Sequence, residues 1–152
     1  MSLETFRAET RSWLDANCPA SMRTPMAADE YPGGGRRAQY KNPETKDWMT
    51  LCASKGFTAP TWPTEYGGRG LDLIEWLIFE EEYYRAEAPT RVNQNGVFLL
   101  GPTLMEFGTH EQKSKFLNAM ATGDHIWAQG WSEPGAGSDM AAIRTTAVLE
   151  DG

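Results

Sequence analysis

Cysteine and cationic residues are scarce in this sequence of 152 residues, and long apolar runs are missing. The two cysteines, Cys18 and Cys52, lie neither in a C-x-x-C pair nor near a histidine at ligand spacing. A disulfide framework is therefore excluded, a zinc site is disfavoured, and we assign no metal ligand. Fourteen Lys and Arg residues against 21 Asp and Glu residues give a formal charge of −7. This balance argues against nucleic-acid binding and polybasic membrane binding, because both need clustered cations.

The apolar runs reach only four or five residues, and a membrane-spanning helix needs about 20. The N-terminal residues include acidic side chains and lack the apolar stretch of a signal peptide. We therefore expect no membrane association, a cytoplasmic location and free thiols.

Apolar periodicity and capping residues predict five helical segments and hence an up-and-down bundle, mainly α. The first covers residues 3–17, with Ser2 as its cap. The others run from Asn42 to Gly56, from Asp72 onward, over 97–107 with a kink at Gly101-Pro102, and from Thr109 to Gly123. Residues 1–125 are predicted to form this helical domain.

The third segment contains an acidic triplet, Glu80 to Glu82, which we predict to be a solvated face. Its inward face is predicted to carry Ile74, Leu77, Ile78 and Tyr84. Two connections are rich in glycine and proline: residues 19–41 are predicted to be a mobile surface loop, and residues 57–70 a loop packed down by their aromatic side chains.

The pattern changes after His125. Residues 126–131 and 143–149 alternate in the manner of strands, with a Gly/Pro loop at 132–138 between them. We predict that residues 126–152 begin a truncated β-domain. Because two strands leave unpaired edges and an uncovered apolar face, self-association through residues 126–149 is expected.

Residues 131–139 (WSEPGAGSD) carry the most informative loop. Glycines let backbone N–H groups approach an anion such as a pyrophosphate. The loop is not a Rossmann fingerprint, since Met140 stands at the third glycine position, and it lacks the Gly-Lys-Ser/Thr of a P-loop. By spacing alone an ordinary turn remains open.

The longer string at residues 129–145 (QGWSEPGAGSDMAAIRT) resembles the flavin-binding signature of acyl-CoA dehydrogenases. Residues 59–70 (APTWPTEYGGRG), 101–104 (GPTL) and 107–113 (FGTHEQK) agree with that family in order and spacing. The resemblance covers nearly the whole chain except residues 19–41. It implies the N-terminal helical domain followed by the first two strands of a middle β-domain.

The resemblance implies an FAD enzyme of lipid metabolism that oxidises an acyl-CoA thioester to a 2,3-enoyl-CoA. A carboxylate removes the α proton while the β hydrogen leaves as hydride to the flavin. It further implies an electron-transfer flavoprotein as acceptor and a homo-oligomeric assembly. The family's catalytic base lies in a C-terminal domain, so no catalytic residue is assigned here, and we expect the chain alone to be inactive.

Carried over by position, the family's flavin-lining segment corresponds to ten residues. Ser132 stands where a hydroxyl lies near the flavin ring, and Ser138 where one meets phosphate or the CoA thioester arm, so Ser138 is also assigned to substrate. The predicted FAD-binding residues are Gln129, Gly130, Trp131, Ser132, Glu133, Pro134, Gly135, Ala136, Gly137 and Ser138. Gln129 departs from the aromatic residue that is frequent in the family. Glu133 is predicted to cap the turn rather than to act as a base.

Other candidates have simpler interpretations. His110-Glu111 lacks the second histidine of a zincin, because Ser114 stands there. His125 is predicted to be structural, while Trp127 and Trp131 are either core residues or flavin-stacking residues. Five residues could line an acyl pocket, although their helical spacing favours a role in the bundle core: Val97, Phe98, Leu100, Leu104 and Met105.

A different class of function stays open: a non-catalytic helical module or subunit that pairs with a second chain. Such a module would have no physical need for the loop at 132–138. If the enzymatic interpretation holds, we predict that the purified chain is nearly colourless, because most of the FAD cleft is missing.

Overall fold

Every α-helix predicted to begin at a capping side chain does so. In the computed structural model, which describes residues 1–150, the helices are α1 (Leu3–Asn17), α2 (Pro43–Ser54), α3 (Leu73–Arg85), α4 (Gly101–Phe107) and α5 (His110–Ala121). Ser2, Asn42, Asp72 and Thr109 each accept a hydrogen bond from a backbone N–H of the first turn. Asp72 and Thr109 form reciprocal capping boxes with Glu75 and Gln112. The mainly helical architecture is thus confirmed.

The predicted kink at Gly101-Pro102 is a change of helix type. Residues Asn95–Leu100 form a π-helical turn that continues directly into α4. A Cβ on Gly101 would lie 2.0 Å from the Trp62 ring, so only glycine permits this close approach. Trp62 is buried, which confirms that residues 57–70 pack against the bundle.

Three clusters of apolar side chains lie in the described chain, and the two larger ones hold the bundle together. The first lies between α1, α2 and α3 and includes Phe6, Trp48 and Phe79. The second joins the loop residue Trp62 to α5 through Leu117 and Met120. Helices α1 and α3 lie against each other, and α4 lies against α5.

The predicted inward face of α3 is wrong for three of its four residues. Ile78 is buried, but Ile74, Leu77 and Tyr84 are exposed, and Phe79, Glu82 and Tyr83 are buried instead. The burial of Glu82 is explained by Arg7 and Arg11 of α1, which bind its carboxylate. The prediction of a solvated acidic face, which was based on charge alone, is therefore wrong for Glu82.

The two predicted strands are absent from residues 1–150, which form only isolated bridges, Gly35 with Ile126 and Glu133 with Ala136. A strand needs a hydrogen-bonded neighbour along its length, and residues 143–149 have none among the described residues. Val148 and Leu149 are exposed. In their place the chain has a tight turn, a short 3-10 turn at Met140–Ala142 and an open tail.

The predicted mobile loop at 19–41 is held down at several points. Short 3-10 turns form at Ala20–Met22 and Ala28–Glu30, and Met22 is buried. Gly35 exchanges two backbone hydrogen bonds with Ile126, at 2.7 and 3.0 Å. In the described part of the chain, no helix has both the length and the apolar character needed to cross a bilayer.

Candidate functional site

Nearly all of the predicted flavin-contacting segment, residues 129–138, lies at the surface. Eight of its ten residues are exposed, Glu133 is half-buried, and Ala136 is buried. A tight turn shapes the segment, because Glu133 and Ala136 exchange backbone hydrogen bonds of 3.0 Å in both directions. The structure thus places the predicted site residues together on one accessible stretch of backbone.

Glu133 fastens this turn to the residues that follow it. Its carboxylate accepts from the backbone N–H of Arg144 at 2.9 Å and of Thr145 at 2.8 Å, and from the Thr145 hydroxyl. The Thr145 hydroxyl, followed by the two amides, holds the pKa of Glu133 below its ordinary value. Glu133 is therefore an ionised structural tie to residues 144 and 145 and not the cap of its own turn that was predicted. An ionised carboxylate that is bound by three donors is poorly suited to abstract a proton.

The turn leaves several hydrogen-bond donors free. Within residues 1–150, no protein acceptor pairs with the backbone N–H groups of Gly135, Gly137 or Ser138. The hydroxyls of Ser132 and Ser138 likewise have no protein partner in this part of the chain. Such a row of free donors is a suitable surface for the oxygens of a phosphate or of a flavin ring.

Within the described chain, neither backbone conformation nor close packing requires glycine at the three glycine positions of the segment. Gly130, Gly135 and Gly137 are absent from the left-handed backbone positions. A Cβ at any of the three would meet no atom within 4 Å. Their small size therefore leaves open space above the backbone, as a closely approaching ligand requires. On this observation the residues fit FAD.

The two tryptophans beside the segment have different environments. Trp127 packs edge-on against Phe116, with ring centroids 5.6 Å apart, and joins the second apolar cluster. Trp131 is 60% exposed. Trp127 is therefore a core residue, whereas Trp131 presents a free aromatic face next to the turn.

The five residues that could line an acyl pocket also divide into core residues and one exposed residue. Val97 is buried in the second apolar cluster, and Leu100, Leu104 and Met105 are half-buried against it. Phe98 is exposed. The bundle core accounts for all of them except Phe98.

Neither His110 nor His125 lies in a catalytic arrangement within the described chain. His125 packs against Phe116, with ring centroids 6.4 Å apart, and its backbone N–H donates to Ala119 at 3.0 Å. No group of three or more potential metal ligands occurs among the described residues, and His110 is an exposed residue of the first turn of α5.

Two polar residues with structural importance escaped the sequence-based reasoning. Glu82 accepts from Arg11 at 2.8 Å through two donors, from Arg7 at 3.0 Å and from Arg85 at 2.7 Å. Arg11 is the main cause that lowers the pKa of Glu82 to about 2. The i, i+4 spacing of Arg7 and Arg11 on α1 was the available signal for a buried carboxylate partner.

Asn93 is the second residue that was missed. Its backbone is left-handed, with φ 63°, and its side chain is buried at the point where the chain leaves α5. Asparagine is enriched in this backbone region, which was the only sequence signal for such a position.

Comparison with known families matches residues 2–124 to the acyl-CoA dehydrogenase N-terminal domain. The chain is 44% identical over 148 residues to acyl-CoA dehydrogenase IpdE1 of Mycobacterium tuberculosis, which covers 97% of this chain and 37% of that relative. Acyl-CoA dehydrogenase FadE29 of the same organism is 45% identical over 145 residues, covering 95% of this chain and 34% of its own length. The chain thus spans little more than a third of these relatives.

Two solved structures are similar to this chain over nearly its whole length. The steroid ACAD Tcur3481-Tcur3483 is 35% identical with a TM-score of 0.70, over 97% of this chain and 36% of that chain. The ChsE4-ChsE5 complex from Mycobacterium tuberculosis is 34% identical with a TM-score of 0.71, over 97% and 34%. These likenesses confirm the resemblance first carried by the loop at 129–145 and the three upstream motifs: the chain belongs to the acyl-CoA dehydrogenase family.

Proposed function

We propose that this chain is the N-terminal part of a flavin-dependent acyl-CoA dehydrogenase. Residues 1–125 form its helical domain, and residues 126–152 begin a second domain that contacts FAD. One observation carries the proposal: the segment at 129–138 is exposed, rich in free donors, and built with glycines that nothing within residues 1–150 requires.

FAD, when bound, supplies the acceptor for the hydride that leaves the β carbon of an acyl-CoA thioester. The chain's own contribution is positioning. The free N–H groups of Gly135, Gly137 and Ser138 bind acceptor oxygens, and the Ser132 hydroxyl polarises a ring oxygen or nitrogen. Trp131 covers one side of the bound group. Ser138 also contacts the substrate's CoA arm.

The substrate of the whole enzyme is an acyl-CoA that is oxidised to the 2,3-enoyl-CoA. The structural neighbour named a steroid ACAD supports a bulky acyl group. Glu133 is tied to Arg144 and Thr145, so we place the catalytic base in the part of the relatives' length that this chain does not span. An electron-transfer flavoprotein as acceptor, a homo-oligomer and a cytoplasmic location follow from the same family proposal.

The second candidate, a non-catalytic module that pairs with another chain, is favoured by a groove between α1 and α3. The groove encloses about 660 Å³ and is lined by Leu3, Ile74 and Leu77. All three side chains are about half exposed. This surface offers a partner an apolar strip that is bordered by charged residues such as Arg7 and Glu81, but it lies on other elements than the segment at 129–138.

Titration of FAD with the purified chain, followed by flavin fluorescence, separates the two candidates. We expect weak, saturable quenching, consistent with a nearly colourless preparation. Gly137→Val fills the space above the turn and should weaken FAD binding at least about tenfold, a loss of about 1.4 kcal/mol. Trp131→Ala should reduce the quenching at saturation, because the exposed ring contacts the flavin.

Gly33→Val is the matched control. A Cβ on Gly33 also meets no atom within 4 Å, and Gly33 lies outside the segment. FAD binding that is equal in Gly137→Val and Gly33→Val, or no saturable quenching by the wild-type chain, would contradict the proposed flavin contact and leave the interaction module as the better account.

A further inference from the structure

Three parts of the chain meet at the side chain of Asn93. Its amide nitrogen donates to the carbonyl of Met120 in α5 at 2.8 Å and to the carbonyl of His125 at 2.9 Å. Its amide oxygen accepts from the backbone N–H of Trp127 at 2.8 Å. One buried side chain thus joins the last turn of α5 to His125 and Trp127, where the chain leaves the helical bundle.

The surroundings hold this amide in one position. Asn93 is only 6% exposed, and all three of its side-chain hydrogen bonds go to backbone groups. Gly96 leaves room for it, because a Cβ there would lie 2.6 Å from Oδ1 of Asn93 and 2.9 Å from Met120. The carbonyl of Asn93 also accepts from Val97 at 3.0 Å, which anchors its backbone to the π-helical turn.

Asn93 makes the last backbone tie before the candidate flavin segment. The N–H groups of His125 and Ile126 are bonded to Ala119 and Gly35, and that of Trp127 is bonded to Asn93. Residues 128–132 make no backbone hydrogen bond to the described chain. Two residues lead from Trp127 to Gln129, a reach of about 7 Å at full extension. The hydrogen bond from the Trp127 N–H to Asn93 therefore restricts the position of residues 129–138.

We propose that Asn93 is a positioning residue for the flavin segment: its amide fixes the path by which the chain leaves the helical bundle. The proposal rests on the proposed function for its meaning, but its structural part can be tested without FAD. Asn93 touches neither the cofactor nor the substrate, and it acts through the backbone of Trp127.

Two variants of the full 152-residue chain disturb the amide differently. Asn93→Gly keeps the left-handed backbone and removes all three side-chain hydrogen bonds. Gly96→Ala keeps Asn93 but places a methyl group where its amide oxygen lies. Glu87→Gly is the matched control, because Glu87 is also a left-handed residue that is not glycine, and it is exposed.

Residue-resolved amide exchange tests the tie. We expect exchange at the Trp127 amide to rise at least about tenfold in Asn93→Gly and in Gly96→Ala, because its acceptor is removed or displaced. Amides in α1 and α3 should change less than about twofold. Unchanged protection of Trp127, or equal acceleration in α1 and α3, would overturn the proposal, and Glu87→Gly should leave Trp127 unaffected.

The FAD titration gives a readout that general destabilisation would not produce. At a temperature where all variants are folded, Asn93→Gly should bind FAD at least about fivefold more weakly than Glu87→Gly. Equal affinities would overturn the positioning role. If even the wild-type chain fails to bind FAD, the proposed function falls, and exchange at Trp127 alone then decides whether Asn93 fixes the exit path.

Discussion

Glu82 in α3 and Glu133 in the C-terminal segment are both ionised carboxylates with lowered pKa values, yet their surroundings differ. Glu82 is 1% exposed and is bound by Arg7, Arg11 and Arg85. Glu133 is tied only to the backbone and hydroxyl of its own segment. The first joins two helices that are far apart in sequence, and the second fastens a turn to residues 144 and 145 of the same segment.

This contrast extends to the regions that contain them. The helical body, residues 1–125, has a buried apolar core that includes Phe6, Trp48 and Phe79, although it also leaves large apolar side chains such as Phe98 and Phe107 exposed. The segment at 126–150 buries only Ile126 and Ala136. The helical body thus provides the folding stability, whereas the segment at 126–150 leaves hydrogen-bond donors free to bind other molecules.

The largest effect is expected from the core of the body. Phe79 is fully buried and stacks on Phe57, with ring centroids 4.7 Å apart. Phe79→Ala should lower the free energy of unfolding by about 4 kcal/mol in urea titrations, because it leaves a cavity. Leu149→Ala, in the exposed tail, should change it by less than about 0.5 kcal/mol. Similar losses in both variants would refute the division.

The ion cluster gives the next largest effect. Glu82→Gln keeps the shape but removes the charge that three arginines share, and should cost about 2 kcal/mol of unfolding free energy. Glu81→Gln is its neighbour control, because the Glu81 side chain is 65% exposed and pairs only with Arg7. It should cost less than about 0.5 kcal/mol. A cost for Glu82→Gln as small as for Glu81→Gln would show that the cluster does not join α1 to α3.

The same cluster predicts a dependence on pH. The pKa of Glu82 is about 2 in the folded chain, below its ordinary 4.5. Its stabilising effect is therefore complete above pH 4.5 and is lost as the pH falls toward 2. Acid unfolding should be less steep for Glu82→Gln than for the wild type. Superimposable acid profiles would contradict the assigned role.

Glu133→Gln should have a small global effect, because the side chain acts only within the C-terminal segment, between its turn and residues 144 and 145. We expect a change below about 0.5 kcal/mol in unfolding free energy. Locally, amide exchange at Arg144 and Thr145 should accelerate, since a neutral amide is a weaker acceptor than a carboxylate. Global destabilisation that exceeds this range would place Glu133 in the body rather than in the segment.

The exposed tail gives the weakest expected effect, self-association through residues 126–149. Val148 and Leu149 are 78% and 96% exposed, and an uncovered apolar strip favours contact between copies. Sedimentation velocity should show a concentration-dependent increase in mass that Leu149→Lys reduces. A strictly monomeric wild-type chain at high concentration would exclude this surface as an association site.

The sequence predicted what local chemistry determines and failed where distant partners decide. Caps such as Asp72 and Thr109 located the helices, since each bonds within four residues. The solvated acidic face predicted for α3 was wrong at Glu82, because arginines some 70 positions earlier bind this carboxylate and bury it. The strands at 126–131 and 143–149 were wrong because alternation cannot supply a pairing neighbour.

For the candidate site, the string at 129–138 identified the segment but not its support. A structural role for Glu133 could be predicted from its place in the loop, but its partners Arg144 and Thr145 could not. Asn93 could not, because its three partners lie 27 to 34 positions away. Sequence reasoning thus found the residues that face outward and missed the residue that holds them in place.

Chemical-shift mapping of the amide resonances during titration with FAD tests the central claim most directly. We predict saturable shifts confined to residues 129–139 and their neighbours at the bundle exit, with the groove between α1 and α3 unaffected. Shifts confined to that groove, or none at all when FAD reaches millimolar concentration, would contradict the assignment of this turn to flavin binding.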